Sequence, residues 1–264
     1  MTGRPGPLGR ALRGELLKVR RSAVPATTLL VTLLIPLVGG LFMFIAGDPD
    51  RARSLGLLGQ KAELAGVTAD WAGLIGFVTQ AVAAASLMVY SFVATWLFGR
   101  EFVDGTARYL MALPIARDRI VAAKLVVLAG WSALLAVWVA LVTVVVGAVM
   151  RLPGWDSAAV LAGLGRILVA GLLMIPAVLP VAYLASRTRG YLGALAIALL
   201  LLLVGQVAAI LGWGAVVPWS IPALAAGVAP GQHAGAGSIL ICLLTGVAGA
   251  VATVRWWRSP DAGM

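Results

Sequence analysis

Six long apolar stretches dominate this chain, at residues 24–47, 73–99, 124–150, 158–186, 190–212 and 236–256. Each is close to or above the ~20 apolar residues that a helix needs to cross a bilayer core. Hydrocarbon offers no water to satisfy backbone N–H and C=O groups, so segments of this kind cross it as helices, which bond their own backbone. The expected fold is an all-α integral membrane protein with six transmembrane helices. Composition agrees. The chain is 61% hydrophobic and 11% charged, with mean hydropathy +1.02, against about 25% charge in a soluble domain. A single domain is expected over 1–264, with a cytoplasmic leader (1–23), the six-span bundle (24–256) and a cytoplasmic tail (257–264).

The basic residues set the orientation. Of 20 Lys and Arg residues, fifteen fall in the leader, the 100–124 segment, the 187–190 turn and the tail. Arg51, Arg53, Lys61 and Arg151 fall on the other side, and Arg166 sits near one end of the fourth stretch. Basic residues collect on the cytoplasmic side of membrane proteins. Both termini and the 100–124 segment are therefore expected in the cytoplasm, and the chain in the cell (plasma or inner) membrane. The net charge of +10 reads as a topology signal, with no nucleic acid expected. The first apolar run is too long for the ~7–15-residue core of a signal peptide, so it reads as a retained span.

The segments between the spans carry more detail. Leu8, Leu12, Leu16 and Val19 recur at helical spacing, with Arg10, Arg13, Arg20 and Arg21 on the other side. This predicts an amphipathic helix lying in the inner interface, with Glu15, Lys18 and Arg21 as its notable charges. Glu15 falls at the edge of the apolar stripe, where an unpaired carboxylate is costly. It reaches water, pairs with Lys18 or faces a protein partner. The first outer loop, 48–72, is expected to hold a short helix near Ser54–Leu64. Arg166 draws the first turns of the fourth stretch toward the interface, leaving a span nearer 167–186, and Pro176 and Pro180 are expected to kink it. The 213–235 segment, with Trp213, Trp219 and several Pro and Gly residues, reads as a re-entrant or interfacial hairpin before the sixth span.

Charge concentrates between spans two and three. Residues 100–124 hold eight of the 30 acidic and basic residues. Gly105 and Thr106 start a short cytoplasmic helix that Pro114 stops. Glu101 and Asp104 lie upstream of it, and Arg117 and Arg119 downstream. Tyr109, Leu110 and Leu113 would form an apolar knob able to seat in a partner's groove. An ordinary solvated loop is the competing reading.

The run Glu101-Phe102-Val103-Asp104-Gly105-Thr106, then Leu113-Pro114-Ile115-Ala116-Arg117, then Lys124, resembles the loop after the second span in permeases of type-2 ATP-binding-cassette exporters. Those proteins carry a Glu, a Gly-Thr, a Leu-Pro with a basic residue, and a Lys at the start of the next span. The leader's Glu15-Leu16-Leu17-Lys18-Val19-Arg20-Arg21 resembles their N-terminal cytoplasmic helix. The overall size is similar to small antibiotic-resistance and bacteriocin-immunity permeases. The resemblance implies a coupling helix at Glu101, Asp104, Gly105, Thr106, Tyr109, Leu110, Leu113 and Arg117, docked on a cytoplasmic ATPase present in two copies. It also implies a second permease, identical or homologous, and ATP and Mg held by the ATPase. Independently, the chain lacks a Gly-x-x-x-x-Gly-Lys-[Ser/Thr] phosphate loop, so no ATP site of that kind and no cofactor is expected on it.

Other chemistry finds less support. The sole histidine, His233, has no orienting partner nearby. No carboxylate pair occupies a span, and no acidic cluster suits a metal. Catalytic and metal sites are therefore not expected, against the alternative of an intramembrane enzyme. Ion-driven carriers, the other alternative, usually place ionisable groups at mid-membrane, where this chain has Gln80, Tyr90 and Gln206. These three are candidate pathway residues for an apolar or amphipathic substrate. Helix–helix hydrogen bonding is an equal use for the two glutamines.

Overall fold

A computed structural model describes residues 6–48, 54, 68–112, 115–229 and 231–259. Among them every regular element is helical. Helix α1 (Pro7–Arg20) leads directly into the first span, α2 (Val24–Gly47). The others are α3 (Trp71–Val103), the short α4 (Ala107–Met111), α5 (Arg117–Val149), α6 (Ser157–Arg187), α7 (Leu192–Ile210), the short α8 (Ile221–Ala225) and α9 (Ala236–Arg258). Six of these helices are long and apolar enough to cross a membrane: α2, α3, α5, α6, α7 and α9. The expected loop helix at 54–64 lies outside the described residues apart from Ser54, which is helical.

Two spans are longer than their apolar runs. α3 continues through Arg100 and Glu101 to Val103, and α5 begins at Arg117, seven residues before Lys124. Both therefore carry charge on their last or first turns, at one end of the bundle. α6 is one helix from Ser157 to Arg187, through Arg166, Pro176 and Pro180. The turns before Arg166, expected toward the interface, are continuous with the 167–186 stretch in this one helix. Asp156 caps the helix by accepting from Ala158 N at 3.1 Å, a favourable start ten residues before Arg166.

α6 is the central strut, with α3 and α9 packed along it. Lipid tails are as apolar as leucine, so helices in a membrane associate through close packing and hydrogen bonds. The α6–α9 seam follows that rule. A Cβ on Gly249 would lie 2.5 Å from Pro180 N, and one on Gly246 would lie 2.6 Å from Pro176 Cβ. The proline stretch of α6 is also bonded from outside its helix. Trp219 Nε1 donates to Ala177 O at 3.1 Å, and Cys242 Sγ donates to Leu173 O at 3.3 Å. Hydroxyls in the spans mostly bond their own helix: Thr32, Thr79, Thr143 and Thr253 each donate to the carbonyl four residues back.

The 213–235 segment is broken, as its composition predicts. A 3-10 turn at Gly214–Val216 precedes α8, whose Ile221 and Leu224 are buried and which packs on α6. Pro230 lies outside the described residues. α7 is the most peripheral span, exposing Leu199, Leu200, Leu203, Val204 and Val207.

Candidate functional site

The charged segment is built on the ends of α3 and α5. α3 stops at Val103, and Asp104 N and Gly105 N bond back to Arg100 O and Phe102 O. Gly105 has φ +67°, a left-handed conformation that glycine adopts without steric cost. The turn reverses the chain into α4. There Ala107 is buried and Leu110 packs against the core, while Tyr109 is 79% exposed. Asp104, Gly105 and Thr106 are exposed. Leu113 and Pro114 lie outside the described residues. The expected knob is thus divided: Tyr109 projects, and Leu110 anchors the helix beneath it.

Glu101 does not stand beside that knob in water. It is 4% exposed and belongs to a cluster of four charges. Lys124 Nζ, fully buried, donates to Glu101 Oε1 at 2.6 Å, Glu15 Oε2 at 3.2 Å and Leu97 O at 2.7 Å. Lys18 Nζ donates to Glu15 Oε1 at 2.8 Å and Glu101 Oε1 at 2.9 Å. Two carboxylates and two ammoniums therefore join α1, α3 and α5 in one balanced group. Burial works against the Lys18 charge, but the Glu101 and Glu15 carboxylates outweigh it and hold its pKa above the ordinary 10.5. Glu101 Oε2 is buried with no partner among the described residues. Glu101 also lines a cleft of about 350 Å³ with Thr106, Tyr109 and Leu110.

This cluster resolves the Glu15 alternatives. Glu15 pairs with Lys18, and also with Lys124, 109 residues away in sequence. Glu15 and Val19 are buried against the protein, whereas Leu8, Leu16 and Leu17 are exposed. The signal available in the sequence was two separate anomalies, a carboxylate on an apolar stripe and a lysine in an apolar span. Each buried charge calls for an opposite one.

The downstream side is fastened too. Arg117 Nη1 donates to Trp257 O at 3.3 Å and Ser259 O at 3.4 Å. Asp118 forms a two-bond pair with Arg258, with Nε to Oδ1 at 2.6 Å. Trp257 is fully buried and donates to Ser186 Oγ at 3.0 Å. Phe102 packs edge-on against both Trp256 and Trp257, with centroids 5.5 and 5.7 Å apart. Residue spacing gave no indication that the last turn of α9 would hold the loop.

The suggested pathway residues do not form one site. Tyr90 is buried in the core, whereas Gln80 and Gln206 are exposed on the outside of the bundle. Ser86 Oγ and Ser132 Oγ are buried without partners among the described residues. His233 is exposed. Among the described residues there is no grouping of His, Cys, Asp or Glu suited to a metal.

Residues 11–205 match the family model described as ABC-2 family transporter protein. The chain is also similar to the bacitracin transport permease protein BCRB of Bacillus licheniformis. They are 23% identical over 174 residues, which span 66% of this chain and 84% of that protein.

Proposed function

This chain belongs to the ABC-2 transporter family, and we propose that it is the permease of an exporter driven by a separate cytoplasmic ATPase, coupled through α4. The observation that supports this is the contrast within one short segment. Tyr109 projects from a fixed platform, while Glu101 and Arg117, on either side of it, are bonded to other helices. A push on α4 would pass to α3 and α5 through short connections, to α1 through the ion cluster, and to α9 through Arg117 and Asp118. Asp104, Gly105, Thr106 and Tyr109 supply the docking face. Glu101 and Arg117 act behind it, as transmission rather than contact.

In this reading two ATPase copies carry ATP and Mg, and a second permease, identical or homologous, completes the path. Both termini and α4 face the cytoplasm, following the excess of basic residues at that end. Gln80 and Gln206, on the outside of a single bundle, would border a pathway only at a joint with the second permease. The cargo is an apolar or amphipathic molecule such as a peptide antibiotic, a lipid or a drug. Similarity to a bacitracin transport permease makes bacitracin the first cargo to test.

The test is purification of the full chain in mild detergent from its native host. The expected result is a phosphate-loop ATPase at near-equal amounts. Tyr109→Ala, in an intact protein, should lower its retention about thirtyfold, the effect of losing a ~2 kcal/mol interface anchor. A wild-type chain that brings down no ATPase overturns the proposal.

A further inference from the structure

A second recess lies beside the ion cluster, between α1, the end of α3 and the start of α7. Its volume is about 520 Å³, and its lining includes Lys18, Arg21, Arg100, Asp104, Trp96 and Tyr191. Three cations face one carboxylate there. Asp104 occupies only the Nε edge of Arg100, at 3.0 Å, so the remaining guanidinium N–H groups are left to donate. The Arg100 guanidinium is itself positioned over the Trp96 ring, 5.2 Å from its centroid. Lys18 spends two of its three N–H donors on Glu15 and Glu101. Arg21 is exposed and has no side-chain partner among the described residues. Ser22 also lines the recess, but its hydroxyl is spent on the backbone, donating to Val19 O at 2.8 Å.

We propose that this pocket binds the phosphate headgroup of an anionic phospholipid. Its place in the chain favours a lipid over a soluble anion. Arg21 and Ser22 lie within three residues of the first span at Val24, Tyr191 immediately precedes α7 at Leu192, and Arg100 lies in the last turn of α3. Three points where the chain meets the membrane boundary thus converge on one recess. Trp96 and Tyr191 are the residue types that settle at headgroup level. Leu17, part of the lining, exposes half its surface beside the cations, and Leu16 exposes as much next to it. An apolar shoulder next to a cationic recess suits a headgroup that carries acyl chains. Basic pockets between spans on the cytoplasmic side are a recurring way to hold anionic headgroups.

The experiment uses the full chain in nanodiscs of equal phosphatidylcholine and phosphatidylglycerol. The protein is then extracted in mild detergent and its bound lipid is quantified by mass spectrometry. Wild type should retain phosphatidylglycerol in preference to phosphatidylcholine. Arg21→Gln with Arg100→Gln should lower that retention about fivefold for each arginine removed. Arg10→Gln with Arg13→Gln, the same change of charge outside the pocket, should leave it unaltered. Arg21→Gln alone serves if the double variant does not fold, because it removes no observed side-chain bond. Equal loss in the Arg10/Arg13 control would make the preference a general surface effect and overturn the site. Displacement of the lipid by millimolar inorganic phosphate would assign the pocket to a soluble anion and overturn the lipid. Full retention by Arg21→Gln would overturn it as well.

Discussion

The α6–α9 seam and the Glu15–Lys18–Glu101–Lys124 cluster hold the same bundle together by opposite physics. The seam is made of absences. Gly246 and Gly249 have no side chains, so α9 meets the backbone of α6 directly. The cluster is made of large, charged side chains, buried at one end of the bundle and neutralised by each other. The seam gains stability from contact that any well-fitting small residues could supply. The cluster recovers a large desolvation cost only when all its members are present, so it favours one arrangement of α1, α3 and α5 over others. A packed seam is well suited to permanence. In the proposed coupling, a balanced set of charges next to an exposed helix is the part that would pass on a displacement.

The largest expected effect breaks the cluster. Lys124→Ala leaves two carboxylates with Lys18 alone and should cost about 3–5 kcal/mol, read as a fall in thermal unfolding temperature in detergent. Replacing the group with neutral or apolar residues, as Glu15→Gln, Glu101→Gln and Lys124→Met together, should restore most of that loss. If the triple variant is as unstable as the single one, the cluster contributes by packing and the contrast with the seam fails.

Next is the seam. Gly249→Val places a Cβ against the Pro180 and Leu179 backbone, which cannot swing aside as a side chain does. Overpacking of this kind costs about 1–3 kcal/mol. Gly105→Ala is no substitute test, because it strains a turn rather than a seam. A Gly249→Val protein with wild-type unfolding temperature would show that the two helices can separate freely.

The smallest effect sharpens the ionic side alone. The pKa of Lys18 is held above 10.5 in the folded protein. Its stabilising contribution is therefore complete below pH 10.5 and is lost as pH rises through the higher folded value. Wild type should lose stability in that alkaline window more steeply than Lys18→Met, whereas both should respond alike between pH 7 and 9. Parallel curves throughout would remove Lys18 from the balance.

Much of the fold was legible because span length and apolarity are local properties. Val24–Gly47 matches the expected first span end to end, and the other five differ by a few residues except where charged turns extend α3 and α5. The broken character of 213–235 was legible from Trp, Pro and Gly alone. The site was legible only in part. Residue types located the turn at Gly105 and the projecting Tyr109, with Glu101 and Arg117 as flanking charges, but not what those two charges would meet. Glu101 is bonded to residues 83 and 23 positions away, and Arg117 to residues 140 and 142 positions away. Periodicity within a helix says which residues share a face, not which neighbour that face will meet.

The sequence by itself determined a helical membrane protein with six spans and a charged segment after the second, because backbone hydrogen bonding in hydrocarbon leaves little choice. The tertiary structure alone decided that Glu15 turns inward, that Lys124 is buried in a cluster whose charges balance, and that the last turn of α9 grips the start of α5. These depend on opposite charges and complementary surfaces arriving together from distant parts of the chain. A buried charge announces that it needs a partner, but only the folded bundle determines which one it finds.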